Sequence, residues 1–341
     1  MAHLLSRLRR SPRSDSRSGP RARRGRPHPQ RRFAHRGVEM GPDMSLGLVL
    51  GGGGTVGEAF HRGVLRALAE RGLDARAADV IVGTSAGSIV AASIRRSQPA
   101  PAVPALAARA RRRLLPRRTA ALTLLHRPRQ ALNALLLTPA LASGKVSSDF
   151  LVGAVRRRDG DSWPAAALWI VAVRRADGRR VVFGRPGEPA TDIASAVAAS
   201  CAIPAYFTAM DVAGTDYVDG GVHSPTNADV LADLHLDLVV ISSPMSVRPR
   251  DVRPRVDLPL RLVFHSYLRA EVWALRRRGD HVITIEPDAA ALAVMSSNMM
   301  AAERADEVED CAYRLAGRRL DEGLSPSTSS PGTAREPTVT T

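Results

Sequence analysis

The sequence predicts an α/β domain with a largely parallel sheet. Short apolar runs alternate with longer segments of helical periodicity, a pattern typical of β-α-β units. The 341 residues are 44% hydrophobic, which is enough for a sizeable core. Because aromatic residues make up only 4% of the chain, that core must be built from Ala, Val, Leu and Ile.

The first strand is expected at Leu46–Leu50, a short and continuous apolar run. A helix is expected over residues 58–71, since apolar residues recur there every three or four positions and Gly72 ends the pattern. By the same criteria, further strands are predicted at 80–82, 168–173, 181–183, 238–242 and 282–285. Further helices are predicted from Ala86 onward and at 191–201, 258–277 and 301–318.

The formal net charge of +16 is concentrated in two segments. Residues 1–43 hold twelve arginines and three acidic residues, and residues 95–145 hold eleven basic residues and no acidic one. We expect residues 1–43 and the Ser/Thr/Pro-rich residues 323–341 to be disordered, because they have few apolar side chains to bury. The folded domain is then expected over residues 44–322. Residues 95–145, which contain six prolines, are interpreted as a basic helical insertion or lid.

Several features bear on where the protein works. Cys201 and Cys311 do not make a disulfide framework, and no apolar signal segment follows the first arginines. The sequence contains no run of 18 or more apolar residues, so we expect no transmembrane helix. A solvated tail, or a translation start at Met44, is a simpler interpretation of the basic N-terminus than nucleic-acid binding. We therefore expect a cytoplasmic protein, peripheral at the inner membrane face at most, with no nucleic-acid partner; the oligomeric state stays open.

A glycine-rich loop, GGGGTVG at residues 51–57, lies between the first strand and the first helix. Glycines permit positive φ and close approach of an anion, and the N–H groups at a helix N-terminus point at it. The loop fits a dinucleotide or phosphate site. It fits an oxyanion hole equally well.

The segment GTSAG at residues 83–87 matches G-x-S-x-G, follows a predicted strand and opens a predicted helix. This is the context of a nucleophile elbow, in which Ser85 would sit at a strained turn with its Oγ exposed. Gly83 and Gly87 are expected because side chains there would collide with neighbouring backbone. The alternative is a small-residue turn. A dinucleotide site would need an acid at the end of the second strand, whereas Asp79 begins it.

Asp219 follows a short apolar run and precedes Gly220 and Gly221. Taken alone, the pattern favours an ordinary Asp-Gly hairpin turn over a positioned carboxylate, and the elbow upstream makes the two interpretations equally good. A carboxylate can take the proton of a serine directly if the two groups are within hydrogen-bonding reach. Burial that raises its pKa would make it a better base.

Three motifs in this order resemble the patatin-like phospholipase family: the glycine-rich loop, G-x-S-x-G about thirty residues later, and D-G-G at residues 219–221. The segment ASCAIP at residues 199–204 is similar to the family's approach to its catalytic Asp. The resemblance is strong over about 46–229 and loose beyond. It implies a three-layer α/β/α sandwich.

The resemblance also implies a catalytic dyad, with Ser85 as nucleophile and Asp219 as base, and no catalytic His. It implies an oxyanion hole made by backbone N–H groups of the loop motif, namely around Gly52, Gly53 and Gly54, with Gly57 as the last glycine. The family usually carries Arg just before that last glycine, where this sequence has Val56. The backbone donors do not depend on that side chain.

We therefore expect a serine acyl-ester hydrolase of the phospholipase A or esterase type, acting on lipid-like substrates without a metal or organic cofactor. The alternative is a non-catalytic module that holds a nucleotide or phosphate on the glycine-rich loop. A Ser-His-Asp triad stays open as well, although a surface or core role is favoured for each downstream candidate: His223, His265 and His281.

The methionines near the last helix and the basic residues 95–145 each have two possible interpretations. Met295, Met299 and Met300 could line an acyl pocket, with core packing as the simpler alternative. Residues 95–145 combine arginines with Leu-rich clusters such as residues 135–137, a composition suited to an anionic membrane surface. A solvated lid over the active-site mouth explains the same composition equally well.

Overall fold

The computed structural model describes residues 44–96, 146–147, 149–159, 162–252, 254–301 and 303–325. The predicted tails at 1–43 and 323–341, apart from residues 323–325, lie outside the described residues. So does the predicted basic insertion at 95–145, apart from Arg95 and Arg96.

The eight strands of the described residues form one mixed sheet. They are β1 Leu46–Leu50, β2 Val80–Thr84, β3 Ala167–Arg174, β4 Arg180–Phe183, β5 Met210–Val212, β6 Thr215–Asp219, β7 Leu238–Ser242 and β8 His281–Ile285. Their order is β5-β6-β3-β2-β1-β7-β8, and β4 pairs with β3. The run β3-β2-β1-β7-β8 is parallel, whereas β4, β5 and β6 pair antiparallel. The expectation of a largely parallel sheet is confirmed.

Helices cover both faces of the sheet. They are α1 Gly54–Glu70, α2 Ala86–Arg96, α3 Asp149–Asp159, α4 Ile193–Ser200, α5 Leu258–Arg276, α6 Ala289–Val294 and α7 Ala305–Leu324. Successive strand residues point to opposite faces, so Leu48 and Leu50 pack with α1 and α7, whereas Val49 packs with α5. The predicted three-layer α/β/α sandwich is thereby confirmed.

Three helices differ from their predicted bounds. The helix predicted from residue 58 begins at Gly54, because the end of the glycine-rich loop is itself the first helical turn. The helix predicted at 191–201 spans Ile193–Ser200, and the Asp192 side chain caps it by accepting a hydrogen bond from Ser195 N–H at 2.9 Å. The helix predicted at 301–318 begins later, at Ala305, and ends at Leu324.

Arg95, the first residue of the predicted basic insertion, is a buried structural residue. Its guanidinium donates to the main-chain carbonyls of Arg76, Ala78 and Ala167, which ties the end of α2 to β3. Burial lowers its pKa to about 10. Arg95 is therefore unavailable to a membrane surface, contrary to the expectation for residues 95–145.

Candidate active site

The sheet brings the elbow and the D-G-G turn together. Val171 of β3 pairs with Thr84, the last residue of β2, and the next β3 residue pairs with Asp219, the last residue of β6. Both of these β3 residues also pair with β4, so β2 and β6 lie on the same side of β3 and meet end to end. Ser85, which follows β2, is therefore adjacent to Asp219.

Ser85 has the geometry of a nucleophile elbow. Its φ is +52°, a left-handed conformation that is uncommon for residues other than glycine, and only 7% of the residue is exposed. Its N–H donates to Ser200 Oγ at 2.9 Å, and that hydroxyl donates to Val171 O at 2.6 Å. Its carbonyl accepts from Ser88 N–H at 2.8 Å and Ser88 Oγ at 2.6 Å. These contacts hold the turn in its strained conformation.

The two glycines of the elbow are required by close backbone contacts. A Cβ added to Gly83 would lie 2.5 Å from Ser88 Cα, and one added to Gly87 would lie 1.9 Å from Leu50 O. Neither neighbour is a flexible side chain that could move aside. Glycine at both positions lets α2 start directly against the end of β1.

Asp219 is a buried carboxylate, 4% exposed. Burial raises its pKa from 3.8 to about 6. Two hydrogen bonds oppose part of that rise in pKa. One is with the Ser85 side chain, and the other is donated by Gly221 N–H to Oδ1 at 2.6 Å. Gly220 is required here, because a Cβ at that position would lie 2.3 Å from Val171 O.

The glycine-rich loop lies beside Ser85. A Cβ on Gly52 would lie 3.4 Å from Ser85 Cβ, but the Gly52 N–H donates to Pro225 O at 2.8 Å. Gly52 is therefore not a free oxyanion donor, contrary to the expectation from the family resemblance. In the part of the chain that the structure describes, no hydrogen bond occupies the N–H groups of Gly53 and Gly54, which open α1.

The remaining loop contacts pack the loop against two other segments. A Cβ on Gly57 would lie 3.3 Å from Pro244 Cγ, and Gly57 N–H donates to Gly53 O at 2.8 Å. Gly54 has a φ of +57°, and a Cβ on it would lie 2.5 Å from Met299 O. Val56, buried in the core, donates its N–H to the same Met299 carbonyl at 3.1 Å. The loop is thus held by main-chain contacts that need no arginine at position 56.

His61 is a site residue that sequence reasoning missed. Its Nε2–H donates to Gly51 O at 2.7 Å, since a carbonyl can only accept, and its Nδ1 accepts from Ser242 Oγ at 2.8 Å. Gly51 N–H in turn donates to Ser242 O at 3.0 Å. Burial lowers the pKa of His61 to about 4, so the ring is neutral and holds the start of the glycine-rich loop.

The three histidines considered for a triad have other partners. His265 Nδ1 lies 2.7 Å from a carboxylate oxygen of Glu286. His281 Nε2–H donates to a main-chain carbonyl of α7 at 2.8 Å. His223 interacts electrostatically with Asp229.

Cys201 lies beside the Ser85 elbow. Its Sγ is 3.7 Å from Ser88 Oγ and interacts with the Ser85 side chain. Burial, together with the negative charge of Asp219, raises the pKa of the thiol. The sulfur is therefore protonated at neutral pH and unsuited to act as a nucleophile.

The three methionines differ in environment. Met295 is part of the core and lines, with Val56 and Val308 among others, a cavity of about 240 Å³. Met299 packs against the core, and Met300 is 37% exposed. In the described ranges, no group of three His, Cys, Asp or Glu side chains could hold a metal ion.

Comparisons with known proteins agree with the motifs. A family model described as patatin-like phospholipase matches residues 48–232. A stretch of 71 residues, 21% of the chain, is 49% identical to the lysophospholipase NTE1 of Mycosarcoma maydis, of which it covers only 4%.

Two solved structures show more distant likeness. VipD from Legionella pneumophila is 14% identical with a TM-score of 0.36, over 82% of this chain and 67% of that one. The type III effector protein ExoU is 17% identical with a TM-score of 0.36, over 83% of this chain and 54% of that one.

Proposed function

The chain belongs to the patatin-like phospholipase family, whose model matches more than half of its length, and we propose that it is a serine acyl-ester hydrolase of lipid-like substrates. Family membership supports a lipid hydrolase. The observation that carries the finer proposal is the juxtaposition of Ser85, at a positive-φ elbow, with the buried carboxylate of Asp219.

In the proposed mechanism, Ser85 Oγ attacks the ester carbonyl while Asp219 takes the hydroxyl proton. The N–H groups of Gly53 and Gly54 stabilise the oxyanion of the tetrahedral intermediate. Collapse of the intermediate breaks the ester bond, and Asp219 returns the proton to the leaving alcohol. A water molecule, activated by Asp219, then attacks the acyl-enzyme and releases the fatty acid.

The raised pKa of Asp219 supports the role of base. With a pKa of about 6 the carboxylate is ionised at neutral pH and yet more basic than an ordinary aspartate. His223, His265 and His281 each have other partners, so a dyad is the simpler arrangement.

A fluorescent fluorophosphonate tests this proposal, because it labels only an activated serine. We expect the wild-type protein to be labelled, Ser85→Ala not at all, and Asp219→Asn far more slowly. Hydrolysis of a short-chain nitrophenyl ester should fall by about a thousandfold or more in both variants, without unfolding. His223→Ala and His265→Ala serve as controls and should keep turnover. A histidine variant as inactive as Ser85→Ala would replace the dyad by a triad.

The second candidate function is a non-catalytic module that binds a nucleotide or phosphate. Its support is the pair of unoccupied N–H groups at Gly53 and Gly54, at the N-terminus of α1. It predicts no fluorophosphonate labelling, together with binding of inorganic phosphate or nucleotide that a substitution at Gly53 weakens.

We also propose peripheral contact with an anionic membrane at its cytoplasmic face. The composition of residues 95–145 supports it, as do exposed apolar side chains at the start of α5, where Val256 is 89% exposed and Leu260 42%. In the same region the Arg250 side chain is 66% exposed, whereas Arg261 is buried and Arg248 and Arg255 pair with Glu286 and Asp257. Among the described residues, no helix has the length and apolar character needed to cross a bilayer.

A further inference from the structure

The segment of residues 224–228, which follows the Asp219 turn, contacts two parts of the site through one side chain. Asn227 Nδ2 donates to Thr84 Oγ1 and to Gly220 O, both at 3.2 Å. Thr84 immediately precedes Ser85, and Gly220 immediately follows Asp219. A single amide group therefore connects the end of β2 with the end of β6.

The same segment also reaches the glycine-rich loop. Pro225 O accepts the Gly52 N–H at 2.8 Å, and Gly52 lies against Ser85, where a Cβ would be 3.4 Å from Ser85 Cβ. Residues 224–228 are thus in contact with the Ser85 elbow, the Asp219 turn and the glycine-rich loop. These are the three parts that must act together in the proposed mechanism.

Buried polar contacts anchor this segment to the domain. The Glu271 carboxylate of α5 accepts from Thr226 Oγ1 and from Ala228 N–H, the latter at 3.0 Å. Asn227 is fully buried in a left-handed conformation with a φ of +52°, which asparagine tolerates better than most residues. Arg180 donates to Asn227 Oδ1 at 3.4 Å and pairs with Asp229 at 2.6 Å.

The sheet alone does not connect Ser85 to Asp219. Strands β2 and β6 each hydrogen-bond to β3, and they meet end to end without pairing with each other. A neutral amide suits the gap between them, because its two N–H donors are shared among Thr84 Oγ1, Gly220 O and the carbonyl of Ser224 in its own segment, the last at 2.5 Å. An aspartate of the same shape would offer none.

We propose that Asn227 is a positioning residue that sets the separation between the Ser85 hydroxyl and the Asp219 carboxylate. It touches no reacting atom in the proposed mechanism. The inference rests on the proposed function, since it assigns a role within the same site.

The test uses Asn227→Gly in the full chain, because glycine accepts the left-handed conformation and removes only the amide. We expect kcat on a short-chain nitrophenyl ester to fall about 10- to 100-fold with KM nearly unchanged, as for a small misplacement of reacting groups. The rate of fluorophosphonate labelling should fall in parallel. Wild-type kcat in this variant would overturn the inference.

The pH profile gives a readout that a general loss of stability would not move. Among the residues that the structure describes, three groups face Asp219: the Ser85 hydroxyl and Gly221 N–H, which lower its pKa, and the Cys201 thiol. If Ser85 moves away from the Asp219 carboxylate, one of the two hydrogen bonds that lower the pKa of Asp219 is lost. The acid limb of kcat/KM should therefore move to higher pH in Asn227→Gly, and an unmoved limb would contradict a positioning role.

Two further variants keep the test decisive. Leu68→Ala creates a cavity in the core near the C-terminal end of α1, about 20 Å along that helix from the glycine-rich loop, and should lower the melting temperature without changing kcat or the acid limb. Thr84→Val removes one acceptor of the Asn227 amide and should lower kcat about threefold to tenfold. If Asn227→Gly fails to fold, an unchanged kcat in Thr84→Val overturns the inference. An inactive, unlabelled wild type would instead contradict the proposed function.

Discussion

At the scale of single residues, Asp219 combines two opposed requirements. A base must be ionised, yet burial makes a charged carboxylate costly, and the pKa of about 6 records that cost. The Ser85 side chain and Gly221 N–H offset only part of it. A catalytic base at this position, as proposed, gains basicity at the expense of folding stability.

The pH dependence of hydrolysis follows from this carboxylate. Asp219 must be ionised to take the Ser85 proton, so kcat/KM should rise as pH increases through about 6 and level off above 7. The profile should be measured on a neutral short-chain ester, whose own charge does not change. An acid limb near pH 4 would mean that the essential base is an unperturbed carboxylate.

The stability of Asp219→Asn should differ from that of the wild type in a pH-dependent way. The folded-state pKa is raised above 3.8, so the contribution of this group is most favourable below pH 4 and is lost as pH rises through about 6. At pH 8 the variant should unfold with a free energy larger by on the order of 3 kcal/mol, a difference that shrinks towards pH 4. Urea denaturation at both pH values measures it, with Ser85→Ala as control.

Local patterns in the sequence predicted Ser85 and Asp219 as site residues because each lies in a short motif with its own glycines. They could not identify Asn227 or His61, whose roles depend on hydrogen bonds to residues distant in sequence. Gly52 shows the same limit. Its position beside Ser85 follows from the motif. That its N–H donates to Pro225 O, and so is not free to bind an oxyanion, follows only from the tertiary structure.

At the scale of elements, the glycines of the site differ in how closely neighbouring atoms approach them, so substitution by alanine should have different effects at each. Gly87→Ala would push a Cβ to 1.9 Å from Leu50 O, where the start of α2 meets β1, so we expect no folded protein. Gly52→Ala would make only an ordinary 3.4 Å contact with Ser85 Cβ, so the fold should persist. Crowding beside the nucleophile should lower its kcat about tenfold or more.

Circular dichroism and ester hydrolysis on both variants test this contrast. Gly72→Ala is a suitable control, because a Cβ there meets nothing within 4 Å and its cost is limited to the φ of +77°. A well-folded Gly87→Ala would contradict the close approach of α2 to β1. An unfolded Gly52→Ala would mean that the loop is more tightly packed than these distances indicate.

The parallel strands were predictable because each contains a short run of mostly apolar, mostly buried residues. Strand β5 was not, since Met210–Val212 is only three residues long, and the start of β6 is polar. These two strands form an antiparallel pair that extends the sheet beyond β3. No local pattern could predict that β6 meets β2 end to end, because that arrangement depends on both strands pairing with β3.

At the scale of the whole molecule, the positive charge is distributed unevenly. Several arginines of the described domain lie in ion pairs that join distant elements, such as Arg71 with Asp321 and Arg180 with Asp229. Residues 97–145, by contrast, contain nine basic residues and no acidic one. The excess positive charge that could attract an anionic surface is therefore concentrated in two sequence segments, 1–43 and 97–145.

Exposed apolar side chains lie at the start of α5. Leu260 and Val263 lie on one face of the first turns of α5, and Val256 precedes them. Arg261, on the same turns, donates to Pro244 O at 2.8 Å, and Pro244 packs against Gly53 and Gly57 of the glycine-rich loop. The start of α5 is thus connected to the glycine-rich loop through Pro244. Trp273 is also exposed on α5, but about 20 Å further along the helix.

Vesicle binding should therefore depend on lipid charge and on this face of α5. A chain lacking residues 1–43 should co-sediment with vesicles that contain phosphatidylglycerol and not with purely zwitterionic ones, less so as salt rises. The double variant Val256→Ser, Leu260→Ser should bind more weakly, whereas Trp273→Ser should bind as the wild type does. Equal binding to both vesicle types would contradict the electrostatic attraction, because each engaged arginine should add about 1 kcal/mol only at an anionic surface. No binding to either would leave residues 95–145 as a solvated lid and the α5 face without a lipid partner.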